Sequence, residues 1–165
     1  MRFWLIDAIE EFVPGERIVT HKNVAYSEEY LQDHFPEFPV LPGVFMLEAA
    51  TQSAAWLLRL TDNYQHTIIS LKEAKNIKYA DFVSPGSRLT ITAEIFKQDD
   101  REVGFKVTGK VGESTSLSGR IVLERYCLSD DDPAMIESDE RLRTSLKKWS
   151  KAIVNPTLQA TLGGA

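Results

Sequence analysis

At 165 residues, with 43% hydrophobic and 26% charged side chains, the chain has the length of one ordinary domain and enough apolar material for a core. A net charge of −5 excludes overall attraction to nucleic acid or to an anionic membrane, so an acidic partner has to be met by a local basic patch. A single cysteine, Cys127, excludes an internal disulfide and any multi-cysteine metal site, in keeping with a reducing compartment.

The apolar stretch from Phe3 to Ile6 is broken at once by Asp7. It is too short for a secretory signal or a membrane span, and the expected location is the cytoplasm. After a turn at Pro14-Gly15, the β-branched run Arg17 to Tyr26 predicts a strand. Residues 33–43, DHFPEFPVLPG, hold three prolines and a glycine, which predicts an ordered loop packed through Phe35 and Phe38. The run that follows Pro42, GVFMLEAATQSAAWLLRL, has no proline and no glycine after Gly43 and predicts a long helix. Apolar residues at Val44 to Leu47 and Ala54 to Leu58 surround its axis, the pattern of a helix enclosed on most sides.

Four strands are predicted after it: Thr67 to Tyr79, Ser87 to Gln98, Val103 to Val111 and Thr115 to Tyr126, with turns at Ser84-Pro85-Gly86 and Asp99 to Glu102. Leu89, Ile91, Ala93 and Ile95 alternate with polar residues, as half-buried antiparallel strands do. The class is therefore α+β, an antiparallel sheet wrapped on one long helix. Residues 1–127 are expected to form this domain. Residues 128–165 read as an acidic linker at Asp130-Asp131-Asp132, a helix whose stripe Leu142, Leu146, Trp149 and Ile153 docks on the domain or on a sister subunit, and a flexible tail ending Gly163-Gly164-Ala165.

Three features carry possible chemistry. Glu48 stands in the most apolar stretch of the chain, one helical turn before Gln52. A carboxyl buried there has its pKa raised and can donate a proton; a glutamate at a solvent-facing gap is the plainer alternative. His34 precedes the proline-rich loop and has the side chain suited to a general base at neutral pH, although a lone loop histidine is more often structural. Gly43 opens the long helix, whose unpartnered N–H groups suit an oxygen bearing partial negative charge, although Pro-Gly also simply starts helices. His21 and His66 have no comparable company.

Together the residues are more specific than singly. The run DHFPEFPVLPGVFMLEAATQ, with histidine fourteen positions before glutamate and P-V-x-P-G-V between them, resembles the active-site segment of the 3-hydroxyacyl-acyl-carrier-protein dehydratases of bacterial fatty-acid synthesis, in the branch that uses glutamate on the central helix. The resemblance runs from about Leu5 to Tyr126. It implies a hot-dog fold with a C-terminal helical extension. It implies His34 and Glu48 as the acid/base pair, the Gly43 N–H on the thioester carbonyl, Gln52 orienting the acid, and Phe35 and Val40 as substrate contacts. No cofactor or metal is implied, because phosphopantetheine arrives on the carrier-protein substrate. The implied assembly is a homodimer whose sites combine His34 of one subunit with Glu48 of the other, with trimers of dimers as a further step.

Two departures qualify the resemblance. Glu37 replaces the glycine usual after His-Phe-Pro, and it either raises the pKa of His34 or points to solvent. The chain also continues beyond the usual length after Tyr126. Basic candidates for the acidic carrier protein are Lys72, Lys75, Lys78 and Arg88, of which the three lysines alternate faces along one strand. The competing functions are a thioesterase of the same fold that uses Glu48 to hydrolyse the thioester, and a non-catalytic subunit that binds the acyl carrier.

Overall fold

The computed structural model describes residues 3–35, 37–155 and 158. The chain opens with a hairpin of β1 (Ala8–Val13) and β2 (Arg17–Asn23), closed by Gly15 in the left-handed region at φ 69°. A four-residue helix, α1 (Tyr30–Asp33), leads into the proline-rich loop, and α2 (Gly43–Thr61) follows. Strands β3 (Ile68–Tyr79), β4 (Arg88–Gln98), β5 (Glu102–Val111) and β6 (Ser114–Tyr126) come next, then two short 3-10 turns and α3 (Ile136–Ile153).

The six strands form one sheet in the order β1-β2-β4-β5-β6-β3, antiparallel throughout. Its inner face lies on α2. Alternate residues Leu89, Ile91 and Ala93 of β4, Val103, Phe105 and Val107 of β5, and Ile121 and Leu123 of β6 have no exposed surface. Burying each of the larger of these contributes roughly 2 kcal/mol before the cost of ordering. On the helix side Ala49, Ala50 and Ala54 are fully buried, and their small size lets the backbone of α2 come close to the sheet. The Thr20 and Ser53 hydroxyls pair at 2.6 Å across this interface, so neither is left unsatisfied in the core.

Helix α3 docks through Leu146 and Ile153, both buried, and Trp149 meets Trp4 edge-to-face at 5.9 Å. Its first turn is fixed by Asp139, which accepts from the Thr67 hydroxyl, from Leu128 N–H (3.1 Å) and from Ser129 N–H (2.9 Å). Burial alone would raise the pKa of this carboxyl; the hydrogen bonds from Thr67 and Ser129 outweigh it and hold it at about 2. Beyond the helix, Val154 bridges Ile9 in parallel and Asn155 N–H reaches the Ile9 carbonyl at 3.4 Å, so the β1 edge of the sheet is occupied there. At the opposite edge, β3 pairs only with β6.

The α+β sheet-on-helix expectation holds, and four details differ. Strand β1 was not expected. The second strand ends at Asn23 rather than Tyr26, and α1 stands just ahead of the segment read as loop. Helix α2 is not enclosed all round: Val44 is 64% exposed and Glu48 is half-buried. No described helix is long and apolar enough to cross a membrane.

Candidate active site

His34 caps the C-terminus of α1, its N–H donating to the Tyr30 carbonyl at 3.2 Å. The helix is held from below by Lys22, a buried ammonium 2.6 Å from Glu28 and 3.5 Å from Asp7. It is held from the side by Tyr30, whose ring meets Phe45 of α2 edge-on at 4.9 Å. Burial first, then Glu28 and Asp7, push the Tyr30 phenol above its ordinary range, so it stays neutral. These contacts make a short loop-borne helix a defined support for one imidazole.

The ring itself is oriented by its Nδ1, 3.1 Å from the Val40 carbonyl oxygen. A carbonyl only accepts, so Nδ1 carries the hydrogen in that bond, and in the neutral ring the lone pair is on Nε2. Phe35, in the left-handed region at φ 54°, sets its ring against His34 with centroids 4.5 Å apart. The loop is stitched to the segment that follows β3 by Leu41 N–H to the Val83 carbonyl, 2.8 Å.

A cavity of ≈ 380 Å³ opens beside this histidine, lined by His34, Phe35, Val40, Gly43, Met46, Tyr79 and Phe82 among others. Gly43 is the first residue of α2, and a Cβ built there would lie 3.1 Å from the Tyr79 ring. The fit is tight: a side chain at this position needs the Tyr79 ring, which walls the cavity, to yield by a few tenths of an ångström. Burial pushes the Tyr79 phenol upward. Phe38 and Phe82 meet edge-on at 5.6 Å near the mouth, and both are exposed, as is Phe35.

Glu48 does not line this cavity. It stands one turn beyond exposed Val44 on α2 and accepts from the Gln52 amide nitrogen at 2.9 Å. The orientation of Gln52 is unambiguous, because its Oε1 accepts from Leu5 N–H (3.0 Å) and its Nε2 also donates to the Phe3 carbonyl (3.1 Å). Glu48 is therefore held by a side chain anchored to the N-terminal arm rather than enclosed by apolar residues. Glu37 is exposed, and among the described residues no hydrogen bond or ion pair joins it to His34.

Of the basic candidates, Lys72 pairs with Glu102, Lys75 with Glu73 (2.7 Å) and Arg88 with Glu10 (2.7 Å). Lys78 is exposed, next in sequence to Tyr79, and makes no ion pair among the described residues. His21 bonds Glu10 and His66 bonds Asp62, each away from the cavity. Sequence reasoning missed Tyr79, Phe82 and Lys22. Only their wall or support positions in the fold distinguish them, and no spacing along the chain does.

Residues 10–120 match the model of the ApeI-like family, described as ApeI dehydratase. The chain belongs to this dehydratase family. Its curated relatives include the 3-hydroxyacyl-[acyl-carrier-protein] dehydratase FabZ of Levilactobacillus brevis, 36% identical over 113 residues that span 68% of this chain and 76% of the relative. FabZ of Lactobacillus helveticus is 35% identical over 116 residues, 70% of this chain and 78% of the relative. Among solved structures, a chain of the dehydratase heterocomplex ApeI:P from Xenorhabdus doucetiae aligns with a TM-score of 0.66 at 14% identity, covering 81% of this chain and 90% of that one. The architecture is the expected hot-dog fold. Helix α3 and the arm carrying Phe3 and Trp4 lie outside the matched residues.

Proposed function

We propose that the chain dehydrates 3-hydroxyacyl groups, carried as thioesters on acyl carrier protein, to trans-2-enoyl thioesters. The observation that carries this reading is the His34 Nδ1 contact with the Val40 carbonyl, which leaves a basic Nε2 for a cavity shared with the first N–H of α2. The hydrogen at C2 of a thioester is weakly acidic, and its removal needs a base together with a donor for the developing enolate oxygen. His34 Nε2 takes that proton and the Gly43 N–H receives the carbonyl oxygen, while Phe35 and Val40 flank the acyl group. The electron pair of the C2–H bond becomes the C2=C3 double bond as the C3–O bond breaks. Glu48, oriented by Gln52, protonates the departing hydroxyl, which leaves as water, and exchange with solvent returns both groups to their starting protonation.

His34 and Glu48 of one chain do not share a cavity, so this reading needs a second copy. A homodimer that brings Glu48 of one subunit to His34 of the other also covers Val44 and the exposed aromatic rim of Phe35, Phe38 and Phe82. Lys78, next in sequence to Tyr79 of the cavity wall, is the basic residue proposed for the acidic carrier; the pairing of Lys72, Lys75 and Arg88 with carboxylates gives them a smaller part.

The test is an assay with 3-hydroxyacyl carrier-protein thioesters of several chain lengths that follows enoyl absorbance and free thiol in parallel. Enoyl product without thiol release supports the proposal. Thiol release alone would make the protein a thioesterase, and neither signal would make it a non-catalytic carrier-binding subunit.

A further inference from the structure

The far end of α2 holds a second concavity that this chemistry does not use. All three tryptophans of the chain, Trp4, Trp56 and Trp149, converge on it with Phe3 and Leu146, forming an open cleft of ≈ 150 Å³. A cavity of about that volume accommodates a benzene-sized molecule. Arg59 stands in its wall, the guanidinium 5.3 Å from the centroid of the Trp56 ring.

Arg59 is a cation short of partners. Its Nε is buried with no hydrogen bond, and among the described residues no carboxylate lies within ion-pair distance of the guanidinium. The carboxylate three residues on, Asp62, gives one oxygen to His66 at 2.7 Å, and its other oxygen is buried and unbonded. Burial lowers the pKa of Arg59 to about 10, against the opposing influence of Asp62 and Tyr64, so the group is still charged at neutral pH. The half-buried guanidinium, with its Nε buried and unbonded, lacks a matched anion, and its planar fork fits a carboxylate in two parallel hydrogen bonds. Ring walls beside a fixed cation suit an apolar body that carries one negative group.

We propose that this cleft binds a small apolar carboxylate, its anion on Arg59 and its body among the tryptophans. Phe3, Trp4, Leu146 and Trp149 lie outside the residues matched by the family, so most of the cleft is what this chain adds to the shared scaffold. Gln52 belongs to the cleft and also bonds Glu48, which places an occupant one side chain from the proposed acid. The carboxylate has two chemical sources: a free acid, or the distal end of an acyl chain. The site does not depend on the dehydratase reading, because its test is binding.

Since every tryptophan of the chain lines the cleft, tryptophan emission reports its occupancy directly. The full-length protein is titrated with benzoate and, separately, with the neutral isostere benzamide. A saturable change with benzoate, about tenfold or more weaker for benzamide and for benzoate on Arg59→Met, is expected from loss of a charge-assisted pair. Where Arg59→Met fails to melt cooperatively, Trp149→Leu keeps the cation and removes a wall, and benzoate binding again weakens. Equal binding of benzamide, undiminished binding by folded Arg59→Met, or no saturable signal at millimolar benzoate overturns the proposal. An ω-carboxylated acyl thioester that competes with benzoate assigns the cleft to the distal acyl end, and benzoate binding without such competition assigns it to a free acid.

Discussion

The two ends of α2 are built from the same helix and serve opposite purposes. Its N-terminus has no acidic residue in the first turn and opens, through Gly43, onto a cavity walled by the loop that carries His34. The positive end of the helix dipole therefore meets no carboxylate of its own first turn, as the proposed carbonyl site at Gly43 requires. Its C-terminus carries Arg59, a residue type that the dipole favours there, half-buried in the wall of a cleft lined by tryptophans from three separate segments. The first end lies within the residues shared with the dehydratase family, and the second borrows its walls from the N-terminal arm and α3. The proposed chemistry sits at the end where the backbone supplies the polar groups. What is particular to this chain sits where side chains supply them.

This contrast is sharpened most by His34→Ala, which should lower kcat/KM for carrier-bound 3-hydroxyacyl substrate by about 10³, within the range for loss of a general base, while stability changes by less than about 0.5 kcal/mol. Enoyl formation at near-parent rate would remove His34 from the reaction. Glu48→Gln keeps the bond partner of Gln52 but loses the acid, and a fall of roughly 10²-fold in kcat with little change in KM is expected from steady-state kinetics. Gly43→Ala forces a methyl against the Tyr79 ring, and a reduction of about tenfold in kcat/KM is expected if the first N–H of α2 must be approached closely; unchanged kinetics would show that it need not be.

At the other end the smallest effect on activity and a clear one on stability are expected from Asp139→Asn. Its carboxyl sits at about 2 in the folded protein against an ordinary 3.8, so the native state favours the ionised form. That contribution is fully present above about pH 4 and is lost as pH falls from there through 2, because the unfolded chain takes up the proton first. Urea unfolding should therefore find the variant about 1–3 kcal/mol less stable at pH 7, with the gap to the parent closing in acid. A gap that stays constant down to pH 2.5 would mean that Asp139 acts through packing alone.

Much of the sheet was legible because β4, β5 and β6 bury one face, and half-burial writes a period of two into the residues. Strand β1 was illegible for the converse reason: Ile9 is its one fully buried residue, and Glu10 and Glu11 interrupt any alternation. Helix α1 has four residues, too few for a helical period to appear. In the candidate site, His34, Gly43 and Glu48 stood out together through the resemblance of the run that holds them, and the structure puts the first two on one cavity and the third outside its lining. The enclosure expected of Glu48 failed because the apolar residues of α2 bury the faces on the sheet, while Val44 and Glu48 fall on a face that the described residues leave partly open. The tryptophan cleft was beyond reach from sequence, since Trp4, Trp56 and Trp149 are brought together only when α3 folds back on the arm.

The hold of Val154 and Asn155 on Ile9 bears on growth of the molecule into larger arrays. A strand edge with free amides on both sides of a sheet permits head-to-tail addition without end, the geometry of a fibre. Here Val154 and Asn155 occupy the β1 edge at Ile9, whereas β3 at the opposite edge pairs with β6 alone among the described residues, so the two margins are not equally open to another strand. Any edge-to-edge joining through β3 would consume the more open of the two margins, which favours a closed pair over an open array.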